Sequence, residues 1–296
     1  LPFFTIVIPT FNCADFIRQT VEMVKGQSFR DWEMVVVDDG STDQTWEILK
    51  EFAVSDSRIM IDQRPQNRRK GPSACRNIGV ENSSGQYIAF LDADDEWSID
   101  RLQCAYNYIQ ETGANAIYSG AWVVDLKGKY FRESRSIRQG ESIFDFTING
   151  DSFAQTSTLM VKSEIAKQVA FPEAIRFHED FAYFIEVGEM VSWSYYPSKD
   201  VLVRWEDNHL KKVDYKDCLW FYDRFEKLST DRDSRVKYLK YMLIESIMKK
   251  SELKVNNSYK KLLSEENYRF NFNYIILIFA PRLYRLLFSI WMKFKY

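Results

Sequence analysis

Tyr87-Ile88-Ala89-Phe90-Leu91-Asp92-Ala93-Asp94-Asp95 is the stretch that decides how this chain reads. Its first five residues form an unbroken apolar run, the pattern of a strand buried on both faces. Three carboxylates then arrive where that strand should stop. Alternate residues of an extended segment point to the same side, so Asp92 and Asp94 converge while the small Ala93 stays beneath them. Two converging carboxylates repel unless a positive charge sits between them. Oxygen-only ligands suit a hard divalent cation such as Mg²⁺ or Mn²⁺, which would in turn hold phosphate oxygens. The competing reading of an isolated Asp-x-Asp is a helix cap followed by an acidic surface turn, so its surroundings must decide.

Those surroundings repeat one unit. Phe3–Ile8 is an apolar, β-branched strand stopped by Pro9, and a helix follows from Asn12–Asp15 to about Lys25, with Phe16, Ile17, Thr20, Val21 and Val24 on one face. Trp32–Val37 is a second buried strand, ending in Asp38-Asp39-Gly40-Ser41, and Asp43 to about Phe52 a second helix. A short strand at Arg58–Asp62, a polar and basic loop, a helix over Ser73–Asn82, the strand quoted above and a helix over Ile99–Thr112 complete the first part. This alternation predicts an α/β fold with a mostly parallel central sheet flanked by helices. Such sheets bind ligands beyond the carboxyl ends of their strands. Pro9-Thr10-Phe11-Asn12, Asp38-Asp39 and Asp92-Ala93-Asp94 all fall on that rim, a convergence that favours the binding-site reading. The chain has neither GxGxxG nor GxxxxGK[ST], which argues against a dinucleotide-hydride enzyme and a P-loop NTPase.

Beyond about Asn115 the pattern changes. Short strands are expected at 116–118, 157–162, 195–196 and 201–203, with a hairpin over 122–131 turning at Lys127-Gly128 and a helix opening at His178-Glu179-Asp180. After about Lys216 the periodicity is helical, at 219–228, 235–250 and near Tyr259. The expected organisation is a catalytic domain over 1–215, with halves 1–112 and 113–215, and a helical extension over 216–296.

Composition narrows the function classes. The chain has 296 residues, 46% hydrophobic, enough for a large core. Its formal net charge of −2 predicts no nucleic-acid partner. That charge is unevenly placed: all 42 acidic residues precede Asn267, whereas Arg269, Arg282, Arg285, Lys293 and Lys295 follow it, leaving the tail at +5. Four scattered cysteines without a CxxC pair indicate neither a zinc site nor a disulfide framework. No leader-like segment opens the chain, so the expected location is the cytoplasm.

The order Ile-Pro-Thr-Phe-Asn at 8–12, Val-Val-Asp-Asp-Gly-Ser-Thr-Asp at 36–43, Gly-Pro-Ser-Ala-Cys-Arg-Asn-Ile-Gly at 71–79 and Phe-Leu-Asp-Ala-Asp-Asp at 90–95 resembles the family 2 glycosyltransferases. The resemblance covers about the first 205 residues and is strongest over the first 100. It implies the Rossmann-like GT-A fold and inverting transfer from a nucleotide diphosphate sugar, UDP-sugar favoured, with a divalent metal, Mn or Mg. Under it, Pro9, Thr10 and Phe11 line the base, Asp39 accepts the uracil ring N–H, and Arg76 lies in the segment approaching the diphosphate. Asp94 is the metal ligand, Asp92 its ribose-side partner, and His209 a further candidate ligand. Cys75 and Pro72 depart mildly from the family pattern, where Ala and an aliphatic residue are common.

The resemblance also makes Asp180 the catalytic base, with Glu179 as fallback. A one-step inverting transfer needs a carboxylate to take the acceptor hydroxyl's proton, and a helix N-terminus favours the ionised form. The alternative for both is a plain acidic first turn. Arg68-Arg69-Lys70 reads as a solvated charge run with a steering role open above the phosphates.

The segment Asn273–Lys295 is apolar, aromatic and basic, with no acid and a break at Pro281. That composition suits an interfacial segment on anionic lipid. The expectation is a peripheral protein at the inner face of the cell membrane, acting on a glycan or lipid-linked sugar acceptor in surface polysaccharide synthesis. The tail's alternative is packing on the catalytic domain or on another subunit of an oligomer. Two other functions share these features: a nucleotidyltransferase, and a catalytically inactive sugar-nucleotide-binding scaffold at the membrane.

Overall fold

The computed structural model describes residues 1–152, 154–205, 213–249 and 251–269. His209 and the tail from residue 270 lie outside the described residues. The chain divides into two compact units, Leu1–Gln139 with Gly150–Lys212, and Gly140–Asn149 with Val213–Tyr296.

The first unit is built on a seven-stranded sheet. Its strands are β1 (Phe4–Thr10), β2 (Trp32–Asp38), β3 (Ile59–Gln63), β4 (Tyr87–Phe90), β6 (Ala116–Tyr118), β9 (Met160–Lys162) and β10 (Trp193–Tyr195), in the order β10-β6-β9-β4-β1-β2-β3. All neighbours are parallel except β9, which runs antiparallel to both β4 and β6. Every residue of β1 and β4 is buried, as expected of strands covered on both faces. The helices of the first part are α1 (Ala14–Lys25), α2 (Thr45–Ser55), α3 (Pro72–Glu81) and α4 (Arg101–Thr112). α1 buries Ile17, Thr20, Val21 and Val24 of the stripe its periodicity predicts, while Phe16 at the edge of that stripe is only half-buried.

A second sheet of four short strands has the order β5-β11-β7-β8, from β5 (Glu96–Trp97), β11 (Val201–Arg204), β7 (Ala121–Asp125) and β8 (Gly128–Arg132). The hairpin is β7–β8, with Gly128 at φ 110° where only glycine is comfortable. β5 is too short to show in a periodicity. The expected strand over 157–162 is borne out only at its end, as β9; Thr156–Thr158 forms a 3-10 turn ahead of it, with the Ser157 and Thr158 hydroxyls bonded to Asp95 and Gln155 O.

Two glycines set close approaches. A Cβ on Gly79 of α3 would lie 2.3 Å from Val7 Cγ1, so α3 lies directly on β1. A Cβ on Gly85 would meet the Thr5 backbone nitrogen at 2.6 Å. Remaining in this unit are α5 (Ser163–Ala166) and α6 (Glu179–Met190).

The second unit contains helices α7 (Ile143–Ile148), α8 (Tyr215–Phe225), α9 (Arg232–Met248) and α10 (Leu253–Glu265). Nothing in the periodicity anticipates α7, which groups with the C-terminal helices although it falls inside the stretch expected to belong to the acceptor half. Asp145 explains the grouping: its buried Oδ2 accepts from Ser142 Oγ at 2.8 Å, Thr230 N at 2.7 Å and Asp231 N at 3.1 Å. Phe144 also stacks on Phe221, with ring centroids 5.7 Å apart. Among the described residues no helix is long and apolar enough to cross a membrane.

Candidate active site

Strand register brings the motifs together. Thr10 lies opposite Asp38 on β2, and Asp38 opposite Gln63 on β3. The next residues, Asp39 and Arg64, therefore leave adjacent strands side by side. β4 stops earlier, with Phe90 opposite Val7, and delivers Asp92–Asp95 to the same edge.

The loops after β1 and β2 are stitched to each other. Asn12 N donates to Ser41 Oγ at 2.9 Å, Cys13 N to Thr45 Oγ1 at 2.8 Å, and Ala14 N to Asp43 Oδ2 at 3.1 Å. The last two are amides at the start of α1, where Cys13 as N-cap offers no side-chain hydrogen bond. Thr42 N returns a bond to Asn12 Oδ1 at 2.8 Å. Asp38 is fully buried and holds the turn through Gly40 N at 3.1 Å and Ser41 N at 2.9 Å. Much of Asp38-Asp39-Gly40-Ser41-Thr42-Asp43 thus builds the scaffold, and Asp39 is the carboxylate turned to other use. Its backbone N donates to Thr10 O at 2.8 Å, and its Oδ1 accepts from Arg64 Nε.

Phe11 is exposed at the rim, with Lys70 Nζ 3.7 Å from its ring centroid. The basic loop is braced on both sides. Arg68 pairs with Glu81 and Glu173, Arg69 donates to Ala174 O, and Arg176 donates to Lys70 O at 3.3 Å. The run Arg68-Arg69-Lys70 is therefore braced from both sides, while Arg69 and Lys70 remain exposed to solvent as expected.

Arg76 is the centre of the arrangement. α3 carries it under the rim, 3% exposed, where Nη2 donates to Asp92 Oδ1 at 2.6 Å and Nη1 lies 3.8 Å from Glu179 Oε1. Burial works against its charge, but Asp92, Glu179 and Asp180 outweigh it and push the guanidinium upward. Nε and Nη1 are buried and make no hydrogen bond. One side chain thus joins the acidic turn after β4 to the start of α6, far away in sequence.

The acidic turn divides its labour. Asp95 is buried, accepting from Ser157 Oγ at 2.5 Å and Arg204 N at 3.0 Å. Burial, with the charges of Asp92 and Asp94 beside it, pushes its carboxyl well above the usual range. Ser157 Oγ also accepts from Asp92 N at 3.0 Å, and Thr20 Oγ1 donates to Ala93 O at 2.6 Å. Asp95 is the structural member, which leaves the rim to Asp92 and Asp94, both half-buried.

At α6, Glu179 and Asp180 occupy the first turn. His178 before them has φ 65°, stacks on Phe181 with centroids 4.7 Å apart, and is buried; burial pushes its imidazole down to about 3. It is neutral and structural.

Among the described residues no three His, Cys, Asp or Glu side chains form a metal cage. A cation carrying a diphosphate needs only one or two protein carboxylates, because phosphate oxygens supply the rest, and the crowded charges of Asp92 and Asp94 fit that demand. Cys13 and Cys75 do not, since burial pushes each thiol up to about 12.

Arg64 and Ser157 were not legible as site residues. Arg64 carried one signal: it is the residue directly after the third strand, at the same sheet edge as the other motifs. Ser157 carried none.

The family model described as "Glycosyl transferase family 2" matches residues 5–169. An uncharacterized glycosyltransferase of Haemophilus influenzae is 28% identical over 231 residues, covering 77% of this chain and 89% of that protein. A Bacillus subtilis protein named for teichuronic acid biosynthesis, the glycosyltransferase TuaG, is 30% identical over 190 residues, covering 63% and 72%. The crystal structure of Staphylococcus aureus TarS 1–349 in complex with UDP-GlcNAc superposes with a TM-score of 0.65 at 18% identity, covering 89% of this chain and 80% of that one.

Proposed function

This chain belongs to the family 2 glycosyltransferases, and we propose on that premise that it moves a sugar, with inversion, from a UDP-sugar to a hydroxyl of a glycan acceptor. The observation that carries the reading is Arg76, which ties Asp92 at the donor rim to Glu179 at the start of α6. Donor-holding and base-bearing groups thereby share one buried anchor.

In this reading Pro9, Thr10 and Phe11 line the base and Asp39 accepts its ring N–H. Asp92 faces the ribose, and the orphaned Nε and Nη1 of Arg76 are donors that a phosphate charge would satisfy. Asp94 and Asp92 would hold a divalent metal, Mn or Mg, which when bound neutralises charge on the leaving diphosphate; His209 remains a candidate third ligand. Asp180 takes the proton from the acceptor hydroxyl as its oxygen bonds to the anomeric carbon from the face opposite the diphosphate. The bond from the anomeric carbon to the phosphate oxygen breaks, and UDP leaves with that electron pair. The first turn of α6, where Asp180 sits, is where a helix favours negative charge.

The acceptor we propose is lipid-linked, in surface polysaccharide synthesis at the inner face of the membrane. TuaG's name, which refers to teichuronic acid biosynthesis, supports the polysaccharide part, and the acid-free basic tail supports the membrane part. Incubation with labelled nucleotide sugars and a synthetic lipid-pyrophosphate sugar tests it, with release of nucleoside diphosphate as the expected result. Asp180→Asn should lower turnover about 100- to 10,000-fold with UDP binding retained. Undiminished turnover would move the role to Glu179.

A further inference from the structure

Asp39 does not meet a ligand as a bare carboxylate. Arg64 Nε already occupies Oδ1, and the guanidinium is fixed by Nη1 bonds to Pro65 O at 2.9 Å and Arg68 O at 2.6 Å. The two side chains are 11% and 7% exposed. The loop carrying Arg64 is braced through Arg68 and Arg69 to residues 173–174, so the pair is set before any nucleotide arrives. Two groups remain unused among the described residues: Asp39 Oδ2 as an acceptor and Arg64 Nη2 as a donor.

We propose that Arg64 is a specificity-determining residue that converts Asp39 into a reader of the uracil imide edge and turns guanine away. The proposal rests on the reading of Asp39 as the base-binding carboxylate. A free carboxylate offers two acceptors side by side, which matches the adjacent N1–H and 2-amino donors of guanine. With Oδ1 occupied, the pair offers one acceptor beside one donor. Uracil matches that with its N3–H and a flanking carbonyl, and its remaining carbonyl leaves no donor unmet. Guanine can place N1–H on Oδ2 and O6 on Nη2, but its 2-amino group must then share Oδ1 with Arg64 Nε, whose charge weakens that oxygen as an acceptor. Cytosine and adenine present an unprotonated ring nitrogen to Oδ2, which repels it. Sites that leave a buried polar group unpaired discriminate strongly. Thymine shows the same edge as uracil, so Arg64 does not separate those two.

The test is titration calorimetry of UDP and GDP, with Mg²⁺ present, against the full chain and its Arg64→Met, Arg64→Lys and Asp39→Asn variants. Unfolding midpoints of the ligand-free proteins serve as the folding control. The wild type should prefer UDP, and Arg64→Met, which keeps bulk but donates nothing, should cut the UDP-to-GDP affinity ratio by roughly tenfold or more. Arg64→Lys, which restores a donor without the fixed fork, should fall between. A ratio unchanged in a folded Arg64→Met protein overturns the proposal while leaving the donor site at Asp39. A wild type without UDP binding, or an Asp39→Asn protein that binds UDP undiminished, overturns the donor-site reading and this proposal with it.

Discussion

His178 holds φ 65° at the residue before α6 and keeps an uncharged ring among aromatic neighbours. Burial pushes its imidazole down to about 3, from an ordinary value of 6.5. As pH falls below 6.5 the unfolded chain therefore takes up a proton that the folded chain refuses. Stability present above that value is lost on acidification, at about 1.4 kcal/mol per pH unit for one such group. Urea unfolding should show the wild type losing about 1 kcal/mol more than His178→Asn between pH 6 and pH 5, since Asn accepts the same backbone without titrating. Parallel pH profiles would remove burial as the governing effect there. The same scale separates Asp95 from its neighbours. It accepts two buried donors, so Asp95→Ala should destabilise the fold by about 2–3 kcal/mol in chemical denaturation.

Two elements depend on borrowed groups. α1 has no side-chain cap of its own and takes Asp43 and Thr45 from the neighbouring segment. Asp43 serves both α1, through Ala14 N, and α2, through Thr45 N at 3.0 Å. Asp43→Ala should cost about 1–2 kcal/mol in equilibrium unfolding, with Asp43→Asn closer to wild type; an unchanged midpoint would mean that water replaces the cap. α3 lies on β1 at Gly79, and Arg76 sits on the same helix three residues earlier. Gly79→Ala places a methyl against Val7, which should cost about 1–3 kcal/mol. Because Val7→Ala removes the atoms it meets, the double variant should be more stable than the sum of the two losses, a coupling measurable in a double-mutant cycle. Additivity would mean that α3 shifts instead.

At the scale of the whole molecule, the proposed membrane role rests on the charge and apolar character of residues 270–296. Full-length protein should co-sediment with anionic liposomes, and protein ending at Asn271 should not; equal binding would sink the attachment. The central sheet and its first four strands were readable, though not their order in the sheet, because buried parallel strands are continuous apolar runs and their ligands collect at one edge. The carboxylates at 92–95 were readable for the same reason, since their place after a strand is a local fact. Local order also gave Glu179 and Asp180 their place at a helix start. It did not show that Arg76 would lie between Asp92 and Glu179, because Glu179 lies 103 positions beyond Arg76 and meets it through packing alone. Nor did it show Arg64 on Asp39, which depends on the register of β2 against β3, or Ser157 gripping Asp92 and Asp95. α7's place with the C-terminal helices was hidden likewise, since its buried Asp145 takes donors from Ser229, Thr230 and Asp231, far along the chain. The amino-acid order by itself determined most strands and helices of the first 112 residues and which edge of the sheet carries the chemistry, because periodicity and strand ends are short-range properties. Tertiary structure alone decided which charges meet, because the partner of a buried ion is set by desolvation and packing across the fold rather than by neighbours in the chain.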